Sequence, residues 1–239
     1  ARTELTKIKP VLLIGEIEEP TNFLETGFDM NYAWEMHHLM NSVAQGKDNV
    51  SKLVKYYNKE WSLYPNNVYR LQFLTNHDEN TWAGTIDSLM GDSQRAFATL
   101  IFTGQGVPLI YSGQEACLNK RLKFFVRDPI RWDSCSLTGF YKDLISLKKQ
   151  NKALWNGDEG GPMIKIKTNK DNRVFAFYRE KDENKIVVLL NLSKKNVALK
   201  PLPENLNGEY TDYFAGSKAV LPLTDSLSLE PWGYKVLIR

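Results

Sequence analysis

The run Val68-Tyr69-Arg70-Leu71-Gln72-Phe73-Leu74 is rich in β-branched and aromatic residues, and it stops abruptly in Asn76-His77-Asp78. An apolar strand that ends in three consecutive hydrogen-bonding groups carries them at its C-terminal mouth, which in a parallel α/β barrel is the face where chemistry is done. About sixty residues upstream, Val11-Leu12-Leu13-Ile14-Gly15 ends in the same way in Glu16. Two strand ends with one carboxylate each point to a site that works with paired acids.

Around these runs the first 150 residues alternate between strand-like and helix-like patterns. Residues 11–17 are nearly unbroken apolar, as expected of a strand covered on both faces. A short alternating strand at 28–32 leads into a helix through about Ala44, with Ala33, Met36, Met40 and Val43 at helical spacing and Gly46 as its stop. Val50, Leu53, Val54, Tyr57 and Trp61 mark a second amphipathic helix, ended by Pro65-Asn66-Asn67. After the strand at 68–75, a helix is expected from Asp92, its N-cap, to Thr103, followed by a strand at 107–111. A long irregular stretch, 112–138, precedes a helix at about 139–150. This order is the rhythm of βα units and a parallel sheet.

Beyond about residue 155 the pattern changes to short strands, at 163–168, 173–179, 185–192, 196–200, 209–214 and 232–238. Lys170-Asp171-Asn172 and Asp182-Glu183-Asn184 are hairpin-like separators between them. The segment is expected to form an antiparallel β-sandwich. The glycine-rich stretch 155–161 has the composition of a junction, which divides the chain into domains at 1–155 and 156–239.

Composition excludes several partner classes. The formal charge of +3, from 31 basic and 28 acidic residues, is too small and too scattered to argue for nucleic acid. No apolar run approaches the roughly 20 residues that a membrane helix needs, and the first residues lack the layout of a signal peptide. Cys117 and Cys135 match no zinc or redox spacing and are expected to be free thiols. His37-His38 invites a metal reading, but neighbours on a helix point about 100° apart and chelate one ion poorly, so no metal is assigned. The 28 Trp, Tyr and Phe residues suit a protein that stacks flat ligands, although core packing accounts for most of them.

The segment Phe73-Leu74-Thr75-Asn76-His77-Asp78, followed by Gly106-Val107-Pro108-Leu109-Ile110-Tyr111-Ser112-Gly113-Gln114-Glu115, resembles the α-amylase family of glycoside hydrolases. In that family the seventh barrel strand ends in Asn-His-Asp and the eighth carries a Gly-x-Pro-x-Ile-Tyr-x-Gly-x-Glu pattern. The fifth ends in the general-acid Glu, which Leu12-Leu13-Ile14-Gly15-Glu16 resembles. The closing segment 229–237 is similar to the family's C-terminal β-domain. The implied fold is strands five to eight of a (β/α)8 TIM barrel followed by the β-sandwich. Only eleven residues precede Leu12, and none matches the Gly-x-Arg-x-Asp context of the nucleophile strand. The resemblance therefore implies that the first half of the barrel, with its nucleophile and any structural calcium, is absent, and that the chain alone is inactive. No other cofactor is visible.

Retaining glycosidases use one carboxylate as nucleophile and another as acid, then base, roughly 5–5.5 Å apart. By resemblance Glu16 is the acid/base, protonated near neutral pH through burial or a neighbouring carboxylate. Asp78 stabilises the oxocarbenium-like transition state, and His77 donates to a sugar oxygen beside it. Asn76, Asn80 and Trp82 are expected to complete the substrate contacts, Trp82 as a stacking face. Glu18 and Glu19 are rival carboxylates, Glu18 sharing a strand face with Glu16; the family pattern favours Glu16. Arg127 and Arg131 are expected to salt-bridge locally, and Glu115 to bond backbone in its own turn. The implied substrate is an α-glucan such as starch or a maltooligosaccharide. An α-glucan transglycosylase and a non-catalytic carbohydrate- or partner-binding module are the alternatives. Half a barrel leaves sheet edges uncovered, so the expected partners include the missing half or a second copy of the chain.

Overall fold

Four short strands, β1 (Ile14–Gly15), β2 (Met30–Tyr32), β3 (Tyr69–Phe73) and β4 (Val107–Leu109), form one sheet in sequential order, every pair parallel. They belong to a computed structural model that describes residues 1–18, 27–64, 68–222 and 227–239. The helices of this half are α1 (Arg2–Thr6), α2 (Trp34–Ala44), α3 (Val50–Leu63), α4 (Ile86–Met90), α5 (Gln94–Thr103) and α6 (Ser136–Gln150). None of the described helices is long and apolar enough to cross a membrane.

Local chemistry explains most of the boundaries. Asn49 caps α3 by accepting the Ser51 N–H at 2.9 Å, and Thr85 caps α4 from Ser88. Asp92 does not cap α5: a 3-10 turn over Gly91–Ser93 precedes that helix, and no side chain caps it. Between α5 and β4, Gly106 has φ +120° and a Cβ there would lie 2.7 Å from the Arg70 carbonyl. Only glycine lets the chain pass β3 that closely. The apolar run at 11–17 contributes just two ladder residues, and Leu12 and Ile14 are about half exposed rather than covered. Among the described residues β1 has a strand neighbour only on its β2 side, and no layer covers these side chains.

The second half contains β5 (Ile164–Lys165), β6 (Val174–Lys181), β7 (Asn184–Asn191), β8 (Val197–Leu199), β9 (Gly208–Asp212), β10 (Lys218–Leu221), β11 (Leu227–Leu229) and β12 (Tyr234–Ile238). Six of them form an antiparallel sheet in the order β10-β9-β12-β7-β6-β5, and β11 pairs with β8 as a separate ribbon. β10 and β11 carry no pattern that predicted them. Asp182 and Glu183 make the tight turn between β6 and β7, where Lys181 pairs with Asn184. Period-2 alternation divides the large sheet between two cores. Phe175, Phe177, Ile186, Val188 and Val236 join the helices in one, while Val174, Ala176, Val187, Leu189 and Leu237 pack with β8 and β11 in the other. Burial on both faces is why β7 reads as continuous Ile-Val-Val-Leu-Leu.

Arg179 of β6 fastens the two halves. It is 1% exposed and donates to the carbonyls of Gly161, Gly104 and Trp155 at 2.6–2.8 Å, with a longer bond to Thr103. Thr103 and Gly104 end α5, so the guanidinium satisfies carbonyls that the helix itself leaves open. Nearby, the Lys148 ammonium donates to the Leu154 carbonyl at 2.9 Å. Burial, and then the charge of Arg179, push its pKa down to about 7. The unfolded amine, at roughly 10.4, binds more protons between these values, so folding stability should rise with pH from about 7 to about 10. Urea unfolding at stepped pH should show that rise, on the order of 2 kcal/mol because the lysine keeps some exposure. Lys148→Met should flatten it; an equal slope in both proteins would contradict the assignment.

Candidate active site

Because β1, β2 and β3 are parallel and in register, Ile14 lies level with Met30 and Met30 with Tyr69. Their C-terminal ends therefore open on one mouth. There Glu16, His77 and Asp78 come together, with polar atoms all within 4.8 Å of one another. His77 Nε2 lies 4.0 Å from a Glu16 oxygen and 3.8 Å from an Asp78 oxygen. All three are open to solvent, with side-chain exposures of 53%, 46% and 39% for Glu16, His77 and Asp78. The described residues thus leave the cluster uncovered, and the burial expected to protonate Glu16 is not supplied by them.

The rival carboxylates are otherwise engaged. Glu18 accepts the Glu35 N–H at 2.6 Å and pairs with Arg70 at 3.2 Å. Arg70 is itself buried between Glu60, at 2.7 Å, and Asn31. Glu19 lies outside the described residues. Asp29, the first Asp in the chain, accepts the Leu13 N–H at 2.8 Å and pairs with Arg2. Among the described residues, Glu16 is left as the carboxylate that faces His77 and Asp78.

One expected substrate contact, Asn80, is corrected. Asn76 and Asn80 are each 2% exposed. Asn76 Oδ1 accepts the Glu79 N–H at 2.8 Å, which caps a π-helical turn over Glu79–Ala83. Asn80 is engaged at both ends of its amide, donating to the Lys120 carbonyl at 3.1 Å and accepting the Leu122 N–H at 2.8 Å. An amide engaged at both ends, as that of Asn80 is, has nothing left for a ligand, whereas the Asn76 Nδ2 is buried without a partner. Glu79, next to Asp78, bonds the buried His37 at 2.9 Å, and that hydrogen bond holds its carboxyl below the usual range.

The cysteines are also corrected: Cys117 and Cys135 are joined in a disulfide, Cα to Cα 6.2 Å. Eighteen residues apart, they close the long stretch between β4 and α6 into a loop that Asn80, Thr81 and Arg121 stitch to the π-helical turn. Arg127 and Arg131 form no ion pair among the described residues; Asp128 pairs with Lys120 instead. Glu115 does bond the Gly113 N–H in its own turn.

The structure adds residues that the sequence reading missed. Tyr32, at the end of β2, has its phenol pushed up by burial and then by the Glu16 and Asp78 charges. Phe124 lies 5.8 Å from the His77 ring and 5.6 Å from Trp82, linking that exposed indole to the cluster. Tyr32 was readable as a strand end, and Phe124-Phe125 as paired aromatics in a polar loop. Asn80→Ala should leave Lys120 and Leu122 backbone groups unpaired and destabilise the fold by about 2 kcal/mol. It should also speed proteolytic cutting within 117–135; unchanged melting and digestion would refute the anchoring role.

The sequence model of the family described as "Alpha amylase, catalytic domain" matches residues 4–181. Alpha-amylase 2 of Dictyoglomus thermophilum is 30% identical over 203 residues, covering 79% of this chain and 32% of its own length. A cyclomaltodextrinase of a Bacillus species is 28% identical over 152 residues, covering 60% of this chain and 26% of its own length. The chain thus spans about a third of the curated relatives it matches. Among solved structures, a maltogenic α-amylase from Thermotoga neapolitana superposes with a TM-score of 0.84 at 20% identity, covering all of this chain and 57% of that one. At that identity the likeness concerns the fold.

Proposed function

The chain belongs to the α-amylase family of glycoside hydrolases, and from that premise we propose that it is the C-terminal part of a retaining enzyme acting on α-glucans. The observation that carries the proposal is the meeting of Glu16, His77 and Asp78 at one strand-end mouth. Their positions correspond to the ends of the fifth and seventh barrel strands, which makes β1–β4 strands five to eight. The division at 155/156 then separates the catalytic barrel from a C-terminal β-sandwich, with Arg179 bridging them.

In this reading Glu16 protonates the glycosidic oxygen as the bond to C1 breaks, then takes a proton from the incoming hydroxyl. Asp78 faces the positive charge that develops on the sugar ring, and His77 donates to a ring hydroxyl. Trp82 and Phe124 offer aromatic faces to a neighbouring sugar. Among the described residues no third carboxylate joins the cluster. We place the nucleophile on barrel strands that this chain does not hold. The same half-site serves hydrolysis and transfer alike, since water or a sugar hydroxyl can accept the glycosyl group.

In a polypeptide joining this chain to the rest of the barrel, Glu16→Gln and Asp78→Asn should each lower turnover on maltooligosaccharides by about 10³-fold or more. Maltoheptaose binding should be largely retained; near-wild-type turnover in either variant would reject the roles. The chain alone should show no turnover on starch, and robust activity would overturn the missing-nucleophile proposal. Light scattering should find it associating through the exposed edge at Leu12 and Ile14, whereas a stable monomer would contradict that.

A further inference from the structure

Cys117 and Cys135 are the two cysteines of the chain, and their bridge closes the segment that borders the carboxylate rim. The two ends of that segment are held differently. On the N-terminal side Asn119 bonds Thr85 and Asp87, and residues 120–122 are stitched to Asn80, Thr81 and Trp82. Among the described residues, no hydrogen bond from 123–134 reaches outside the loop; Asp128 bonds Lys120 and Lys123 within it. This half nevertheless carries Phe124, whose ring lies 5.8 Å from that of His77 and 5.6 Å from that of Trp82. It also carries the exposed Phe125, Val126 and Trp132. With no hydrogen bonds of its own to the body, it depends on the bridge for its place over the rim.

The two sulfurs are not equivalent. Cys117 is exposed and lines a cavity of about 320 Å³ with Asn119 and Ser136, which gives an attacking thiolate room. Cys135 is half-buried and caps α6, its Sγ accepting the Leu137 N–H at 3.4 Å. Arg95 brings a cation to the same helix start, donating to the Ser136 carbonyl at 2.8 Å. Asp87, in the same cavity, and Glu115, in the turn beside Cys135, have their carboxylates bonded to Asn119 and to the Gly113 N–H. A helix N-terminus and a guanidinium both stabilise a thiolate, so Cys135 is the better leaving group and Cys117 the sulfur to attack.

We propose that Cys117–Cys135 is a thiol–disulfide exchange site for a dithiol reductant, and that its opening frees 123–134 and withdraws Phe124 from His77 and Trp82. One thiolate of the reductant bonds to Cys117 Sγ, and the pair of the breaking S–S bond goes to Cys135 Sγ. The second thiol of the reductant, losing its proton to solvent, then displaces Cys117 Sγ. Two electrons and two protons pass to the protein, which becomes a dithiol while the reductant becomes a disulfide. The proposal does not rest on the glycosidase reading, since His77 and Trp82 report the movement whatever they bind.

The folded, oxidised chain in dithiothreitol or glutathione, without denaturant, tests this. Millimolar dithiothreitol should open the bridge, and the mixed disulfide trapped with glutathione and mapped by mass should sit on Cys117. Tryptic cutting after Lys123, Arg127 and Arg131 should speed up by about tenfold or more on reduction, with cuts elsewhere unchanged. Of the three histidine ring resonances, that of His77 should shift and that of the buried His37 should not. Cys135→Ser keeps an oxygen to cap α6 but cannot bridge, so it should reproduce the reduced state without reductant. A bridge that opens only in denaturant, or a glutathione adduct on Cys135, would overturn the proposal. So would equal cutting and an unmoved His77 in both redox states. Loss of the far-ultraviolet circular dichroism on reduction would overturn it as well, because the bridge would then hold the whole fold rather than the loop.

Discussion

Parallel pairing in register is the constraint on which this molecule depends. With Ile14, Met30 and Tyr69 at one level, the three strands finish together, and groups distant in sequence meet at one rim. An antiparallel or slipped pairing would send Glu16 and Asp78 to opposite ends or faces of the sheet. Close approach at the other end is purchased by a residue without a side chain, Gly106, which lets the chain turn tightly past β3 before β4 begins.

The rim is then made rigid from behind. Asn76 and the His37–Glu79 pair hold the π-helical turn that follows Asp78, and Asn80 couples that turn to a loop closed at its base by Cys117 and Cys135. Polar residues next to the catalytic candidates thus serve backbone, while the candidates themselves stay open. This division suits a site whose reacting groups must keep their spacing while a sugar enters. Further back, Arg179 ties the end of α5 to β6, so the sheet that carries no candidate residue still bounds the frame.

Much of this was legible in the residues. The strand at 68–74, the helices from 34 and 50 and the antiparallel pairs after 170 announce themselves by period and by turn chemistry. The meeting of Glu16 with His77 and Asp78 followed from strand ends alone. Other features depend on contacts that no local pattern encodes. Asn80 looks like a ligand-facing amide until the backbone of Lys120 and Leu122 is seen to take both its ends. The disulfide required knowing that β4 and α6 bring 117 and 135 together. β10 and β11 are short and mixed in polarity, and their existence depends on the neighbours β9 and β8. Leu12 and Ile14 read as covered because apolar composition reports what a strand can bury, not what lies beside it.

Two faces of the molecule thus differ: a solvent-open rim of acids and imidazole, and at the other end of the sheet a cavity lined by aromatic and charged side chains. The central claim concerns the rim, that the carboxylates of Glu16 and Asp78 act on the same sugar ring. A crystal structure of the barrel-complete polypeptide with a bound maltooligosaccharide tests it most directly. The account predicts one pyranose unit within hydrogen-bonding reach of both carboxylates and of His77. A sugar that touches only one of them, or that leaves the strand-end mouth empty while occupying another face, would contradict it.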